Sequence, residues 1–444
     1  MAISGLEIYK LLPKTNCRQC GYSTCLAFGL QLAKREVNLD KCPYVSEEAK
    51  KILTESSLPP IRLITLSRDK TQLEIGNETV LFRHEEKFHH PAGVGIILED
   101  DLDEDEFKKK ISQINKLSFE RIGQLLNLNL IALRQKQEDP ETYLKRLNLV
   151  LENSSLIPVL MSQDKVTLSR AKDICKDCRC LVYYADINNY QDMVDFAKES
   201  NFVLAAKAEN LDELTQIVSK INFKGFEDLI LDVGEKPLRD KIWDFTQIRR
   251  QSLKRVNRLL GYPILAVIEN IHPYQQILEA VTLLAKYANL ILLKGVDPWQ
   301  ILALLTFRQN LYADPQKPLQ VEPKEYVIGN VTDKSPVLVT TNFSLTFYTV
   351  LPEIEASKIP SYLISVDTEG MSVLTSWAAE KFTPEKITEA LKKCGMEERV
   401  SHRRLIIPGY VAVMKADLEE KSGWQIIVGP REAAGIPRFL KNLP

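Results

Sequence analysis

The chain has 444 residues, 45% apolar and 26% charged, with a net charge of −1. Such a length exceeds one ordinary core and calls for two or three domains. The near-neutral balance gives no basic surface for nucleic acid or an anionic membrane. The longest apolar runs, such as "NLILLKGV", are too short to span a bilayer. The opening "MAISGLEIYK" lacks the basic-then-apolar pattern of a secretory signal. A cytoplasmic location is therefore expected, where thiols stay reduced and clustered cysteines point to metal rather than disulfides.

Four of the eight cysteines fall in "KTNCRQCGYSTCLAFGLQLAKREVNLDKCPY", residues 14–44. Cys17, Cys20, Cys25 and Cys42 are spaced C-x2-C-x4-C-x16-C, on a loop leading into a helix, "STCLAFGLQLAKRE", capped at Ser23 or Thr24. Gly21 lets backbone approach a bulky group, and Pro43 follows Cys42 as it often does where a thiolate closes a cluster site. Three close thiolates and one distant one suit a 4Fe–4S cubane. Zinc is the rival, although structural zinc sites more often use two C-x2-C knuckles and only one is present. Free thiols without a metal are the bland alternative.

A Pro-containing joint, "SSLPPIR" at 56–62, ends this module near residue 58. A hairpin, "TQLEIGNETVLFRH", follows with its turn expected at Gly76-Asn77. Eight short apolar runs then alternate with helix-like segments. They lie at 93–98, 128–133, 156–161, 181–185, 202–206, 229–233, 263–268 and 290–295. Eight strands apolar on both faces, spread over roughly 200–220 residues, have the length and period of a (β/α)8 TIM barrel; an open doubly wound sheet is the alternative. The strand ends carry acids and amides, including "LEDD", "MSQD", "KAEN" and "IENI", in no recognisable metal or nucleophile motif. They read best as caps of the following helices, which makes the barrel a scaffold or docking body. Cys175, Cys178 and Cys180 in "DICKDCRCLVYY" offer a second metal site, but with only three thiols and no nearby His, and Cys394 reads as a packing residue.

A second joint, "YADPQKPLQVEPKEY" at 312–326, closes the barrel. The remainder reads as strands at 336–341, 361–367, 404–409 and 424–430 alternating with helices, a small α/β domain with a mostly parallel sheet. Ligands on such sheets bind outside the carboxyl ends of the strands. Those ends, "VTTNFS", "VDTEGMS", "IPGYV" and "VGPREAAGI", are rich in hydroxyls, glycines and small residues. They could receive a wide, flat ligand, or be no more than good turn and cap residues.

Several blocks resemble one family. "NCRQCGYSTCLAF", "KCPY", "FTQIRR", "FRQNLYADPQ", "VTTNFSLT", "IPSYLISVDTEGMSVLT" and "GWQIIVGPREAAGIP" are similar to the large (gamma) subunits of corrinoid/iron–sulfur proteins of the reductive acetyl-CoA (Wood–Ljungdahl) pathway. The resemblance runs along essentially the whole chain. It implies an α/β multidomain architecture: a 4Fe–4S module at 1–58, a TIM barrel at 59–318 and a Rossmann-like cobamide-binding domain at 319–444. It places the cluster ligands at Cys17, Cys20, Cys25 and Cys42, and the cobamide contacts at Thr340, Thr346, Gly370, Met371, Ser372, Val373 and Ala433. Leu374 and Thr375 join them because they open the helix that should face the corrin, with Asn342 and Gly435 as weaker additions.

Many cobalamin-binding domains use D-x-H-x-x-G, whose His ligates cobalt from below. Past residue 300 this chain has His402 alone, in "VSHRRL" and outside that context. The resemblance therefore implies a base-off cobamide, in which loss of the lower donor favours Co(I). It implies a methyl carrier rather than a stand-alone methyltransferase. The carrier would take its methyl from methyltetrahydrofolate through a separate methyltransferase and deliver it to acetyl-CoA synthase/CO dehydrogenase. The cluster would reductively restore Co(II) to Co(I) with electrons from a low-potential donor such as ferredoxin. A small subunit would complete a heterodimer, with Tyr410 and Trp377 as docking candidates or ordinary packing residues. An iron–sulfur electron carrier without corrinoid, and a self-sufficient pterin-dependent methyltransferase, stay open as alternatives.

Overall fold

The computed structural model describes residues 5–33, 37–46, 49–50, 53 and 59–443. It divides into two compact units, Met1–Ser118 with Asn127–Tyr312, and Phe119–Leu126 with Ala313–Pro444. The module boundary expected near residue 58 and the start of the first joint lie outside the described residues.

At the start of the first unit, helices Gly5–Leu11 and Cys25–Ala33 pack together. Gly5 permits the contact, since a Cβ there would lie 2.6 Å from the Leu30 side chain. A small core of Ile8, Leu12, Phe28 and Val45 holds the pair. Strands β1 (Ile64–Arg68) and β2 (Thr71–Ile75) form a hairpin in place of the one expected within 71–84: residues 71–75 pair with the segment before them and not with the one after. Its turn is at Asp69-Lys70, between the paired residues Arg68 and Thr71, and not at Gly76-Asn77. Asp69 takes the left-handed conformation, φ 50°, that a two-residue hairpin loop requires. Gly76, φ 91°, instead ends β2 against the Arg62 carbonyl, which a Cβ would strike at 2.0 Å.

Further short strands follow in chain order. They are β3 (Gly93–Glu99), β4 (Ser118–Arg121), β5 (Gln124–Asn127), β6 (Leu130–Arg134), β7 (Ile157–Met161) and β8 (Cys178–Arg179). Next come β9 (Leu181–Ala185), β10 (Val203–Lys207), β11 (Leu229–Asp232), β12 (Leu265–Ile268) and β13 (Leu290–Leu293). Eight of them form one parallel sheet in the order β11-β10-β9-β7-β6-β3-β13-β12. The two ends meet through a Leu231–Ile264 bridge, in which the Leu231 N–H donates to the Pro263 carbonyl at 2.8 Å. The sheet is thus the expected TIM barrel, and each of the eight apolar runs supplies one strand. The helices between strands begin on side-chain caps: Asp103, Asp139, Asp164 and Asn210 each accept from backbone N–H groups of the first turn. For Asp164 and Asn210 this is the role read from the sequence.

The blocks "FTQIRR" and "FRQNLYADPQ" prove to be structural. Arg249 pairs with Glu78 at 3.1 Å, with both side chains almost fully buried, and donates to the Val80 carbonyl. Glu78 also accepts from the backbone N–H of His89. Arg308 donates to the Ala92 and Asn127 carbonyls and to the Asn129 side chain, tying the last barrel helix to the strand starts.

In the second unit β14 (Glu325–Ile328), β15 (Val337–Thr341), β16 (Ser361–Val366), β17 (Arg404–Ile407) and β18 (Gln425–Val428) make one sheet. The order is β14-β16-β15-β17-β18, parallel except for β14, which runs antiparallel along β16. The four expected strands are all present. The edge strand β14 and the β4–β5 ribbon are additions. The ribbon turns at Ile122-Gly123, both at positive φ, and lends Ile122 to the core of Phe347, Leu363 and Tyr326. That contact explains why Phe119–Leu126 belongs to this unit although it interrupts the barrel sequence. The unit also begins at Ala313, slightly before residue 319.

Glu78→Gln strips the buried Arg249 guanidinium of its counter-charge. Denaturant unfolding is expected to show a loss of roughly 3–5 kcal/mol; an unchanged midpoint would contradict the role given to the pair.

Candidate functional site

The thiol loop is tied to its helix by two contacts. The Asn16 side chain accepts from the Cys25 N–H at 2.8 Å, and the Asn16 N–H donates to the Cys25 sulfur at 3.4 Å. Thr24, not Ser23, provides the cap, accepting from the Ala27 N–H at 3.0 Å. Lys14, Asn16 and Arg18 alternate along the loop with positive φ, and Gly21 follows at φ 85°. Backbone of this kind can turn successive N–H groups towards one side, the concavity in which anionic clusters sit. Cys25 and Cys42 are buried in the module core with Cys20 packed against it, while Cys17 is exposed. The Gln19 backbone N–H and the Thr15 hydroxyl hold the Cys17 thiol below its ordinary range. Among the described residues no three His, Cys, Asp or Glu side chains stand as a metal-holding group. The structure thus brings three of the four cysteines to one small core and leaves Cys17 on the loop above it. Four thiols and a loop able to present N–H donors fit a cluster as a donor set.

The second unit has a cavity of about 390 Å³ at the carboxyl ends of its central strands. Its position follows from topology. The chain passes from β15 to β16 on one side, then returns to β17 on the other, so the loops after β15 and β17 diverge. Of the residues anticipated at the ligand, Thr340, Thr346, Ser372, Val373, Leu374 and Ala433 line this cavity. Thr375 reaches its edge through a 2.9 Å hydrogen bond between its hydroxyl and that of Ser372. Gly370 and Met371 shape the adjoining loop without lining the cavity; Gly370 has φ 74°, and a Cβ there would strike Gln320 at 2.8 Å. Gly435 stands outside, and Trp377 is half-exposed away from the lining. Tyr410 does line the cavity, donating from its hydroxyl to Glu432 at 2.6 Å.

Three buried hydroxyls near these strand ends, on Thr340, Thr341 and Ser365, have no hydrogen-bond partner among the described residues. An unpaired buried hydroxyl costs about 1–3 kcal/mol, and of the three residues Thr340 is the one that lines the cavity. Gly409 and Gly429 keep the far wall low: a Cβ on Gly409 would meet the Gly429 carbonyl at 2.6 Å. The donors and the small, largely apolar lining fit a broad macrocycle carrying amide side chains.

His402 lies at the opposite end of the sheet. Its Nδ1 accepts from the Arg404 N–H at 2.9 Å and its Nε2 donates to the Ser335 carbonyl at 2.9 Å. Both ring nitrogens are occupied at the amino ends of β15 and β17, and the other four histidines belong to the first unit.

Comparison with known proteins settles the family. The model of the family described as CO dehydrogenase/acetyl-CoA synthase delta subunit matches residues 63–440. The corrinoid/iron-sulfur protein large subunit of Moorella thermoacetica is 45% identical over 441 residues, 99% of each chain. The chain belongs to this family. A second family model, described as "Putative Fe-S cluster", matches residues 12–44. The gamma subunit of the acetyl-CoA decarbonylase/synthase complex of Methanocaldococcus jannaschii is 32% identical over 469 residues, covering 99% of this chain and 96% of that one. Among solved structures, 7,8-dihydropteroate synthase from Vibrio fischeri ES114 aligns with 57% of this chain and 100% of its own, at 13% identity and a TM-score of 0.41. No helix among the described residues is long and apolar enough to cross a membrane.

Two features differ from the sequence reading. Asn342, a weaker candidate for ligand contact, is instead a buried hub that does not line the cavity. Its Oδ1 accepts from the N–H groups of Thr368 and Gly370 and from the Thr368 hydroxyl, and its Nδ2 donates to Gln320 and Asp367. It fixes the loop that carries Ser372 without lining the cavity itself. The other is the charge at the barrel mouth. Arg134 pairs with Glu269, and Lys294 reaches Glu99 at 2.9 Å. Burial opposes ionisation of Glu99, but Lys294, Lys136 and Arg134 hold its carboxyl below the ordinary range. Burial pushes the Asp232 carboxyl up. These residues come from separate strands, so no local motif announces them.

Asn342→Ala removes five hydrogen bonds around one buried side chain and is expected to cost the second unit roughly 2–4 kcal/mol. Thermal unfolding combined with limited proteolysis of the 366–372 loop checks this; wild-type resistance would contradict the hub.

Proposed function

We propose that this chain is a methyl-carrying subunit of acetyl-CoA synthesis, holding a base-off cobamide in the second unit and a 4Fe–4S cluster on Cys17, Cys20, Cys25 and Cys42. The observation that carries the reading is the cavity at the point where the strand order reverses, lined by Thr340, Thr346 and Ser372. The bound groups supply a cobalt able to accept and release a methyl group, and an electron to recover it after oxidation.

The protein's part is binding and exposure. Thr346 and Ser372 bring hydroxyl-bearing side chains to the cavity beside Thr340, while Ala433 and Gly429 leave room on its other side. Val373 and Leu374 present apolar surface at the start of their helix. With His402 engaged at the far end of the sheet, no imidazole of this unit reaches the cavity from below. Exposed Leu345, Leu374 and Tyr410, all in the cavity lining, form an apolar rim at the opening. Such a rim suits a partner that covers the ligand, and the small subunit of the heterodimer is the partner proposed. A methyltransferase handling methyltetrahydrofolate and an acetyl-CoA synthase/CO dehydrogenase would meet the same opening in turn, with a ferredoxin-like donor at the thiol module.

The test is iron and corrinoid analysis of the chain purified without oxygen. The expected content is about four irons and one cobalt per chain. Cys42→Ser is expected to lose the iron and keep the corrinoid. Loss of both groups together, or a preparation without cobalt, would contradict the two-site reading.

A further inference from the structure

Cys175, Cys178 and Cys180 belong to neither site. They sit where the helix Lys165–Ile174 runs into β8, at the amino-terminal end of the barrel strands. Cys175 and Cys180 are fully buried, and Cys178 is partly exposed. The Cys178 N–H donates to the Cys175 carbonyl at 2.9 Å, closing a four-residue turn. Such a turn holds its end Cα atoms within about 7 Å, which overlaps the spacing of disulfides. The Cys178 sulfur meets the side chains of both Cys175 and Cys180. Hydrogen bonds from these two thiols hold Cys178 well below the ordinary thiol range, with Arg68 adding to the effect; the same contact with Cys178 raises Cys175, and burial raises Cys180.

We propose that Cys175 and Cys178 form a reversible dithiol–disulfide pair that reacts with small-molecule disulfides, with Cys178 as the attacking thiol and Cys175 as the resolving one. Cys178 is the accessible member and the one whose thiolate is stabilised by neighbours. Cys175 is shielded from external reagents but held across the turn from its partner. Cys180 is a poorer partner: two residues along an extended strand separates Cα atoms by roughly 6.6 Å, with side chains parallel rather than convergent.

The Cys178 thiolate attacks one sulfur of the external disulfide, forming a mixed disulfide and releasing one thiolate. Cys175 loses its proton to solvent and attacks the Cys178 sulfur, and the bond to the external sulfur breaks to release the second thiolate. The pair gives up two electrons, and the small disulfide takes them up as two thiols.

The sequence makes the test direct. Trypsin cuts after Lys172, Lys176 and Arg179, so the three thiols fall on three different peptides. The full chain, prepared without oxygen, is exposed to glutathione disulfide, quenched, alkylated and mapped by mass spectrometry. The expected product links peptide Asp173–Lys176 to peptide Asp177–Arg179 and is reversed by a dithiol reductant. Cys175→Ser is expected to trap glutathione on Cys178, and Cys180→Ser to leave the link intact. A link that includes Cys180, three thiols that alkylate as before treatment, or protection lifted by a metal chelator would each overturn the proposal. If the variants fail to fold, the map of the unaltered chain decides.

Discussion

The second unit is organised around β15, which has β16 on one side and β17 on the other. That order forces the loops at the carboxyl ends apart, and the cavity occupies the gap. Everything that makes the cavity receptive depends on keeping those loops in place. Asn342, at the end of β15, fastens the 366–372 loop with five hydrogen bonds. Across the gap, Gly409 lets the 429–431 backbone come close. Unpaired hydroxyls on Thr340, Thr341 and Ser365 are a standing cost in this region, and a ligand with polar side chains can offset the share that faces the cavity.

The position of His402 bears on the base-off binding proposed for the cobamide. An imidazole beneath cobalt would stabilise the higher oxidation states, and this unit keeps its one imidazole bonded to backbone at the other end of the sheet. The barrel contributes differently. Its mouth is occupied by Arg134, Glu269, Lys294 and Glu99, which pair largely with one another. Charges satisfied in this way favour a supporting body over a substrate site, in keeping with a carrier rather than a self-contained methyltransferase.

Much of this was legible in the residues, for identifiable reasons. Strands buried on both faces read as unbroken apolar runs, so all eight barrel strands and the four parallel strands of the second sheet could be located. Elements with little burial could not. The β4–β5 ribbon is largely polar and exposed, and β14 sits on an edge with Val327 facing solvent. The β1–β2 turn was misplaced because Gly-Asn is a stronger local signal than Asp-Lys, yet Gly76 serves a close approach to Arg62 instead. At the cavity, residues on strand ends were found by their small size and hydroxyls. The role of Asn342 was not, because its partners span Gln320 to Gly370 and exist only in the folded loop. The ion pairs of the barrel mouth were hidden for the same reason.

The central claim is that cobalt is held with no imidazole below it. Electron paramagnetic resonance of the cobalt(II) form, in protein purified without oxygen, tests it most directly. The account predicts cobalt hyperfine lines with no further nitrogen splitting. A threefold splitting of each line, the mark of one axial nitrogen, would contradict it.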